Sequence, residues 1–227
     1  MAHDCNLQPG VPIPVTVSPV ARTVLLVLIA VGLAAGAAGL RPTEPAEGGY
    51  PSARGDLRYG PEASATDREL VSGAIARARP ESREILNSVL GAVTIQIGSP
   101  AEGVAGEARQ RGDRFTVELN LGLIYRLLGR QGTDRLVLHE LGHVVDWMLT
   151  PAPLDTEIDA MTPRGYGCED GVGGACANER ERFAEGYSKW STGDIGAQAG
   201  AVLGYRVPPP SDLERWGAVL VQGIRDR

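Results

Sequence analysis

The 227-residue sequence predicts an α+β domain, in which helices pack on a short β-sheet, preceded by one apolar N-terminal helix. Three observations support this class. Apolar residues recur at helical spacing in several segments after residue 65, two short segments alternate as strands do, and residues 24–40 carry no charge. Hydrophobic residues make up 43% of the chain, which is enough to fill a core.

The N-terminal 40 residues predict export from the cytoplasm. Residues 1–23 form a polar, Pro-rich region, and residues 24–40 form an uncharged run of 17 residues. This length suits either a cleaved signal peptide or a retained transmembrane segment, whereas a buried core helix would rarely lack every charge. We therefore expect an extracytoplasmic protein, secreted or anchored to the plasma membrane by a single helix. Residues 41–64 are expected to be a linker, and residues 65–227 the folded domain.

The first half of this domain is expected to contain helices and two strands. Thr66 and Glu69 match a capping box, which predicts that a first helix begins there and ends before Pro80. A second helix is expected from about Glu81. The next alternating or apolar segments predict two strands and a short helix or turn, at residues 93–97, 114–120 and 121–128.

Three longer features follow in the second half. Thr133 is a suitable N-cap for a long helix from Asp134 to about Leu149, ahead of two prolines. Residues 150–177 are rich in glycine toward their end and are expected to form a loop. Two amphipathic helices are expected after it, at residues 178–190 and 212–224.

The segment His139-Glu140-Leu141-Gly142-His143 lies in the middle of the long predicted helix. Residues four apart project from one face of a helix, so His139 and His143 can bind one zinc ion together. Glu140 is rotated by about 100° from His139, where its carboxylate can reach a zinc-bound water and act as general base. The alternative is a pair of structural histidines. It is disfavoured because His3 is the only other histidine in the chain.

A catalytic zinc ion needs a third protein ligand. No histidine follows the motif, so this ligand must be a carboxylate or, as a weaker candidate, one of the two later cysteines. The acid-rich helix at 178–190 is the best source, because Glu181 and Glu185 share a face with small alanines that permit close helix packing. Glu179, turned by about 200° from Glu181, is expected to face solvent.

The motifs HELGHVVD and NERERFAEGY resemble those of the lethal-factor-type zinc peptidases, a branch of the Glu-liganded zincins that includes the Pro-Pro endopeptidases. The resemblance covers about residues 90–195 and implies a small zincin-like metallopeptidase domain, in which an active-site helix and a third-ligand helix pack with a short sheet. It implies that Glu181 is the third ligand and that Glu185 holds a zinc-binding histidine in the correct tautomer. Asp146 matches the family's Asp after the second histidine and is expected to support the ligands.

The glycine-rich loop holds two further candidates. In the family, a Tyr-Gly pair ahead of the third ligand stabilises the oxyanion, and Tyr166 with its following glycine resembles that pair. However, Tyr166 precedes Glu181 by 15 residues, so Tyr187 and a plain loop tyrosine are the alternatives. In an oxidising compartment, Cys168 and Cys176 form an even pair that predicts a disulfide; elsewhere they would be free thiols.

These features predict an enzyme, a zinc metallopeptidase with one catalytic Zn²⁺ ion that hydrolyses a peptide or protein substrate. The alternative is a catalytically inactive zincin-like domain that binds a protein or peptide, which the intact Glu140 disfavours. A net charge of −6 and the lack of a basic patch argue against a nucleic-acid partner. A membrane partner is expected only if residues 24–40 are retained. The sequence carries no signal for cleavage specificity or oligomeric state.

Overall fold

The fold is described by a computed structural model over residues 55–100, 104–163, 178–193 and 209–226. Helices and a β-sheet are both present in these residues, which confirms the α+β class. In chain order the elements are β1 (Arg58–Tyr59), α1 (Ala65–Arg77), α2 (Pro80–Asn87), a 3-10 turn (Leu90–Ala92), β2 (Val93–Ile97), β3 (Gly106–Arg111), β4 (Arg114–Leu119), α3 (Leu121–Leu149), α4 (Ala152–Ala160), α5 (Glu179–Thr192) and α6 (Leu213–Arg225).

The strands form one sheet in the order β1–β2–β4–β3. β2 pairs in parallel with β1 and β4, whereas β3 pairs antiparallel with β4 and is an edge of the sheet. The predicted strand 93–97 is confirmed. The strand predicted at 114–120 ends one residue earlier, because the Asn120 side chain caps α3 by accepting a hydrogen bond from the N–H of Leu123. The sequence does not predict β1, which lies within residues 41–64, or β3.

Helix α1 begins earlier than the sequence predicts. The Ser64 hydroxyl accepts a hydrogen bond from the N–H of Asp67, whose carboxylate accepts one from the N–H of Ser64. The capping box is therefore formed by Ser64 and Asp67, and the prediction of Thr66 as the cap is wrong by two residues. Two capping boxes overlap in this sequence, Ser64 with Asp67 and Thr66 with Glu69, and use of the earlier one lengthens the helix. Helix α2 begins at Pro80, because proline is tolerated in the first helical turn.

Helix α3 carries the HELGH segment and is longer than predicted. The expected helix at 121–128 and the expected helix from Asp134 belong to one element that is interrupted at Gly129, whose φ of 64° and ψ of −157° are not helical. Glycine adopts this conformation readily because it has no Cβ. The prediction of Thr133 as an N-cap is wrong, since its hydroxyl donates to the carbonyl of Gly129 at 3.0 Å from within the helix.

The segment 150–177, expected to be a loop, begins with helix α4. Leu154 and Ile158, one turn apart, are buried and hold this helix to the core. The prolines that end α3 stand at the start of α4, where proline is tolerated. The two later helices are confirmed: α5 follows its N-cap Asn178, and α6 follows its N-cap Asp212.

A buried aromatic cluster fixes α5 against α6 and α2. The ring of Trp216 on α6 lies 5.6 Å from that of Phe183 and 6.2 Å from that of Trp190, measured between centroids. The Tyr187 hydroxyl lies 2.9 Å from the Ser82 hydroxyl of α2. All five side chains are buried. One side of α5 is thus held by these contacts, and another side faces α3.

Several predicted features lie outside the described residues. These are the apolar segment 24–40, Tyr166, and the cysteines Cys168 and Cys176. Within the part of the chain that the structure describes, no helix combines the length and the apolar character that crossing a membrane requires.

We predict that Gly217→Ala destabilises the fold. A Cβ on Gly217 would lie 1.8 Å from Nε1 of Trp190, which is buried. Alanine gains about 1 kcal/mol of helix propensity over glycine. Overpacking of a core costs about 1–3 kcal/mol, and so short a contact belongs at the upper end of that range. The free energy of unfolding, measured in urea, should therefore fall by about 1–2 kcal/mol.

The control for this prediction is Gly122→Ala, on the second residue of α3. The atom nearest to its Cβ would be Nη1 of Arg126 at 3.7 Å, an ordinary contact, so this change should leave stability equal or higher. An unchanged stability for Gly217→Ala would contradict the packing of α6 on α5.

Candidate metal site

Helices α3 and α5 approach each other closely beside the HELGH segment. A Cβ added to Gly142 would lie 3.1 Å from the Cα of Ala184 and 3.2 Å from Cδ1 of Tyr187. Because Gly142 has no side chain and Ala184 has a small one, the two backbones come nearly into contact. This contact brings the carboxylates of α5 to the histidines of α3.

Three side chains from the two helices converge on one point. Nε2 of His139 lies 3.2 Å from Oε2 of Glu181, and Nε2 of His143 lies 3.6 Å from Oε1 of the same carboxylate. The two imidazole rings stand nearly perpendicular, at 87°, with centroids 5.0 Å apart. One donor atom from each residue fits within 4.8 Å, so the cluster could hold a metal ion. The three side chains expected to be ligands are thus brought together.

Two other acidic candidates stand apart from this cluster. Glu179 is half-buried and hydrogen-bonds with Asp155 of α4, so it neither faces the histidines nor lies free in solvent as expected. Asp146 is buried and accepts a hydrogen bond from the Thr150 hydroxyl at 2.7 Å. Burial raises the pKa of Asp146 to about 6 despite that hydrogen bond. Asp146 thus hydrogen-bonds to the residue that caps the end of α3, and its expected role as a support of the ligands stays a prediction.

Glu185 stands at the other ring nitrogen of His139. Its Oε2 lies 3.3 Å from Nδ1 of His139, and its Oε1 accepts hydrogen bonds from Arg135 at 2.5 Å and from Lys189 at 2.7 Å. All four side chains are buried. The sequence motifs predict the place of Glu185 but not the two cations. Their spacing could have indicated these two cations, because Arg135 lies one turn before His139 and Lys189 lies one turn after Glu185.

Aromatic side chains cover His143. Trp147, one turn after it on α3, stacks on the imidazole at 5.7 Å between centroids and 22° between planes. Phe115 of β4 stacks on Trp147 at 5.9 Å, and the guanidinium carbon of Arg180 lies 5.8 Å from the Trp147 ring centre. The motifs do not predict these residues. Their contacts restrict the orientation of the His143 ring.

The side chain of Glu140, on α3, lies against the edge strand β3. Its carboxylate accepts a hydrogen bond from the backbone N–H of Ala108. A Cβ on Gly106 would lie 2.5 Å from Oε1 of Glu140, so a glycine is needed here to leave room for the carboxylate. Burial raises the pKa of Glu140 to about 8, although His139 opposes the shift. A group with such a pKa can both accept and release a proton near neutral pH.

The two histidines differ in the proton that they hold when no metal is bound. Burial alone would lower the pKa of His139, but the carboxylates of Glu181 and Glu185 outweigh it and raise that pKa to about 10. Burial lowers the pKa of His143 to about 4. Burial would also raise the pKa of Glu181, yet the two histidines lower it to about 2. In the metal-free site, a proton on His139 therefore balances part of the charge of the carboxylates.

A scan of protein-family models, a search of curated proteins and a search of solved structures each find no match to this chain. The interpretation of the site therefore depends on its own residues and their geometry.

We predict that metal binding releases a proton and strengthens as the pH rises. His139 has a raised pKa, so it is protonated at neutral pH, and a metal ion can bind its Nε2 only by displacing that proton. The affinity for Zn²⁺ should rise about tenfold per pH unit between about pH 6 and pH 9, because at least about one proton is released.

Calorimetry of zinc binding in buffers with different heats of ionisation measures this proton release directly. An affinity that does not change with pH, with no proton released, would contradict the assignment of His139 as a protonated group in the metal-free site.

Proposed function

We propose that this chain is a zinc-dependent endopeptidase, with His139, His143 and Glu181 as the metal ligands and Glu140 as the general base. The observation that carries the proposal is the convergence of these three donor groups beside a buried Glu140. A chance HExxH pattern on a surface helix would have neither a third donor nor a buried glutamate. The resemblance of the two motifs to the lethal-factor-type zinc peptidases supports the same conclusion.

The set of donor atoms suits zinc. Two imidazoles and one carboxylate are a set that catalytic Zn²⁺ takes, with a further position for water or substrate. With bonds of about 2.0–2.1 Å, neighbouring corners of a tetrahedron lie about 3.3 Å apart. The distances of 3.2 and 3.6 Å from the imidazole nitrogens to the two oxygens of Glu181 are of this order, and one donor atom from each of the three residues lies within 4.8 Å of the others. A bound zinc ion would lower the pKa of water toward about 7 and polarise a carbonyl oxygen.

Glu140 is suited to carry the proton in peptide-bond hydrolysis. Its carboxylate accepts a proton from the attacking water while the water oxygen bonds to the carbonyl carbon. The same proton then passes to the leaving nitrogen as the carbon–nitrogen bond breaks, so the reaction needs water and no other co-reactant. The hydrogen bond from Ala108 and the contact with Gly106 hold the carboxylate in place for both transfers.

The edge strand β3 offers a place for an extended polypeptide. β3 pairs with β4 on one side, and no other described strand pairs with it. Extended peptides bind to such edges by adding a strand through backbone hydrogen bonds. Because Glu140 contacts β3 at Gly106 and Ala108, a peptide on this edge would run past the general base. This arrangement favours a polypeptide substrate.

We also propose that the enzyme acts outside the cytoplasm, released or anchored through residues 24–40. The support is the uncharged, apolar character of that segment. In that compartment Cys168 and Cys176 would form a disulfide. The candidate for stabilising the oxyanion is Tyr166.

We predict that Glu181→Ala removes stoichiometric zinc binding and that Glu179→Ala retains it. Loss of one of three ligands should weaken zinc binding by at least about 100-fold, since changes behind the ligands already cost 10–100-fold. Glu179 is the matched control because it lies on the same helical turn but faces Asp155. Zinc content by emission spectrometry and competition with a chromophoric chelator measure the effect. Zinc loss in Glu179→Ala with zinc retained in Glu181→Ala would contradict the ligand assignment.

We predict that Glu140→Gln abolishes cleavage of an unstructured protein such as casein and leaves zinc binding intact. The rate should fall by at least about 10²–10⁴-fold, because the amide cannot accept the proton. The measurement is the rate of peptide release from labelled casein at equal zinc occupancy. A wild-type chain that binds zinc and polypeptide without cleaving it would favour the alternative, a catalytically inactive zincin-like binding module.

A further inference from the structure

The core next to the metal site contains an unusual ionic cluster. Arg135 on α3 and Lys189 on α5 both donate to the same oxygen of Glu185, and the side chains of all three are at most 3% exposed. Burying charged groups is costly unless they are paired and hydrogen-bonded. Both cations hold Glu185 in place through charge-assisted hydrogen bonds.

The two oxygens of Glu185 face different partners. Oε1 receives both cations, at 2.5 and 2.7 Å, while Oε2 lies 3.3 Å from Nδ1 of His139. Two donors from two helices on one oxygen fix the rotation of the carboxylate and direct the other oxygen to the imidazole. A carboxylate at Nδ1 keeps the hydrogen on that nitrogen. Nε2 of His139 is then the nitrogen that would give up its hydrogen to a metal ion, at the point that Glu181 also faces.

We propose that Arg135 and Lys189 are positioning residues of the metal site, which strengthen metal binding by holding Glu185 against His139. This inference rests on the proposed metal site and concerns two residues that contact Glu185. The contact of Lys189 with Glu185, four residues earlier on α5, connects the end of α5 to the site. The contact of Arg135 with Glu185 connects the site to the turn of α3 that precedes His139.

Two effects of these cations on a metal ion have opposite signs. A buried positive charge repels a divalent cation directly, so its removal alone would tighten metal binding. If the cation instead acts through Glu185, its removal loosens the carboxylate and the imidazole, and metal binding becomes weaker. The sign of the change in affinity therefore separates the positioning role from a through-space effect.

The test is a double-mutant cycle on the full chain with Zn²⁺ as the probe. Lys189→Met should weaken zinc binding by about tenfold, and Glu185→Gln by about 10–100-fold. In the Glu185→Gln background, Lys189→Met should cause no further loss, because its path to the metal is already removed. Lys189→Arg, which keeps the charge and the donors, should retain affinity within about threefold of the wild type.

The matched control is Arg77→Met, which removes an ion pair between α1 and Asp134, next to Arg135 in sequence. Its zinc affinity should stay within about twofold of the wild type. Thermal unfolding of each metal-free variant shows whether it is folded. If Lys189→Met does not fold, Lys189→Gln, with a neutral amide of similar length, takes its place with the same expected decrease.

Two results for the variants would overturn the inference. One is equal or tighter zinc binding by Lys189→Met, and the other is the same loss in both backgrounds of Glu185. A wild-type chain that binds no zinc would instead overturn the proposed metal site, and the inference with it. If the inference alone fails, the wild type still binds zinc, and the Lys189 and Glu185 variants give one of the two results above.

Discussion

The candidate site depends on how closely α3 and α5 approach at Gly142 and Ala184. With 3.1 Å between the position of a Gly142 Cβ and the Cα of Ala184, a larger residue would push the helices apart by at least a few tenths of an ångström. Metal–ligand bonds tolerate changes of about 0.2 Å, so the geometry of the site depends directly on this contact. Behind α5, the aromatic cluster around Trp216 holds the helix in place.

The distribution of charge in the core distinguishes the roles of its carboxylates. Glu181 lies within 3.6 Å of two imidazoles, and Glu185 lies within 2.7 Å of two cations. Burial would raise the pKa of both carboxyl groups, but the two histidines lower that of Glu181 and His139, Lys189 and Arg135 lower that of Glu185, each to about 2. Glu140 has no ion pair among the described residues, and burial raises its pKa to about 8. The permanent anions suit metal binding and its support, whereas Glu140 suits proton transfer.

The two histidines of the candidate site could be predicted because their relative geometry is local. Residues four apart share a helical face, so His139 and His143 follow from the motif. Rotation along α5 separates Glu179 from Glu181 and Glu185, and the resemblance to the zinc peptidases implies Glu181 as the ligand. Capping is also local, yet two patterns overlap at Ser64 and Thr66, and the structure forms the earlier one.

Other features depend on contacts that are distant in sequence. β3 has a half-exposed, largely polar sequence that becomes a strand by pairing with β4, and Gly106 matters because Glu140 reaches it from α3. Arg135 and Lys189 resemble ordinary surface charges on helices, and only the packing of α3 against α5 buries them together. Charged residues at such spacing are usually solvated, so a sequence pattern alone does not identify them.

The most direct test of the account is a crystal structure of the zinc-loaded chain with anomalous scattering measured at the zinc edge. We predict one zinc ion bound by Nε2 of His139, Nε2 of His143 and a carboxylate oxygen of Glu181, with bonds of about 2.0–2.2 Å. We also predict that Glu185 lies at Nδ1 of His139. A zinc ion bound elsewhere, or the absence of an anomalous peak between α3 and α5 at full zinc loading, would contradict it.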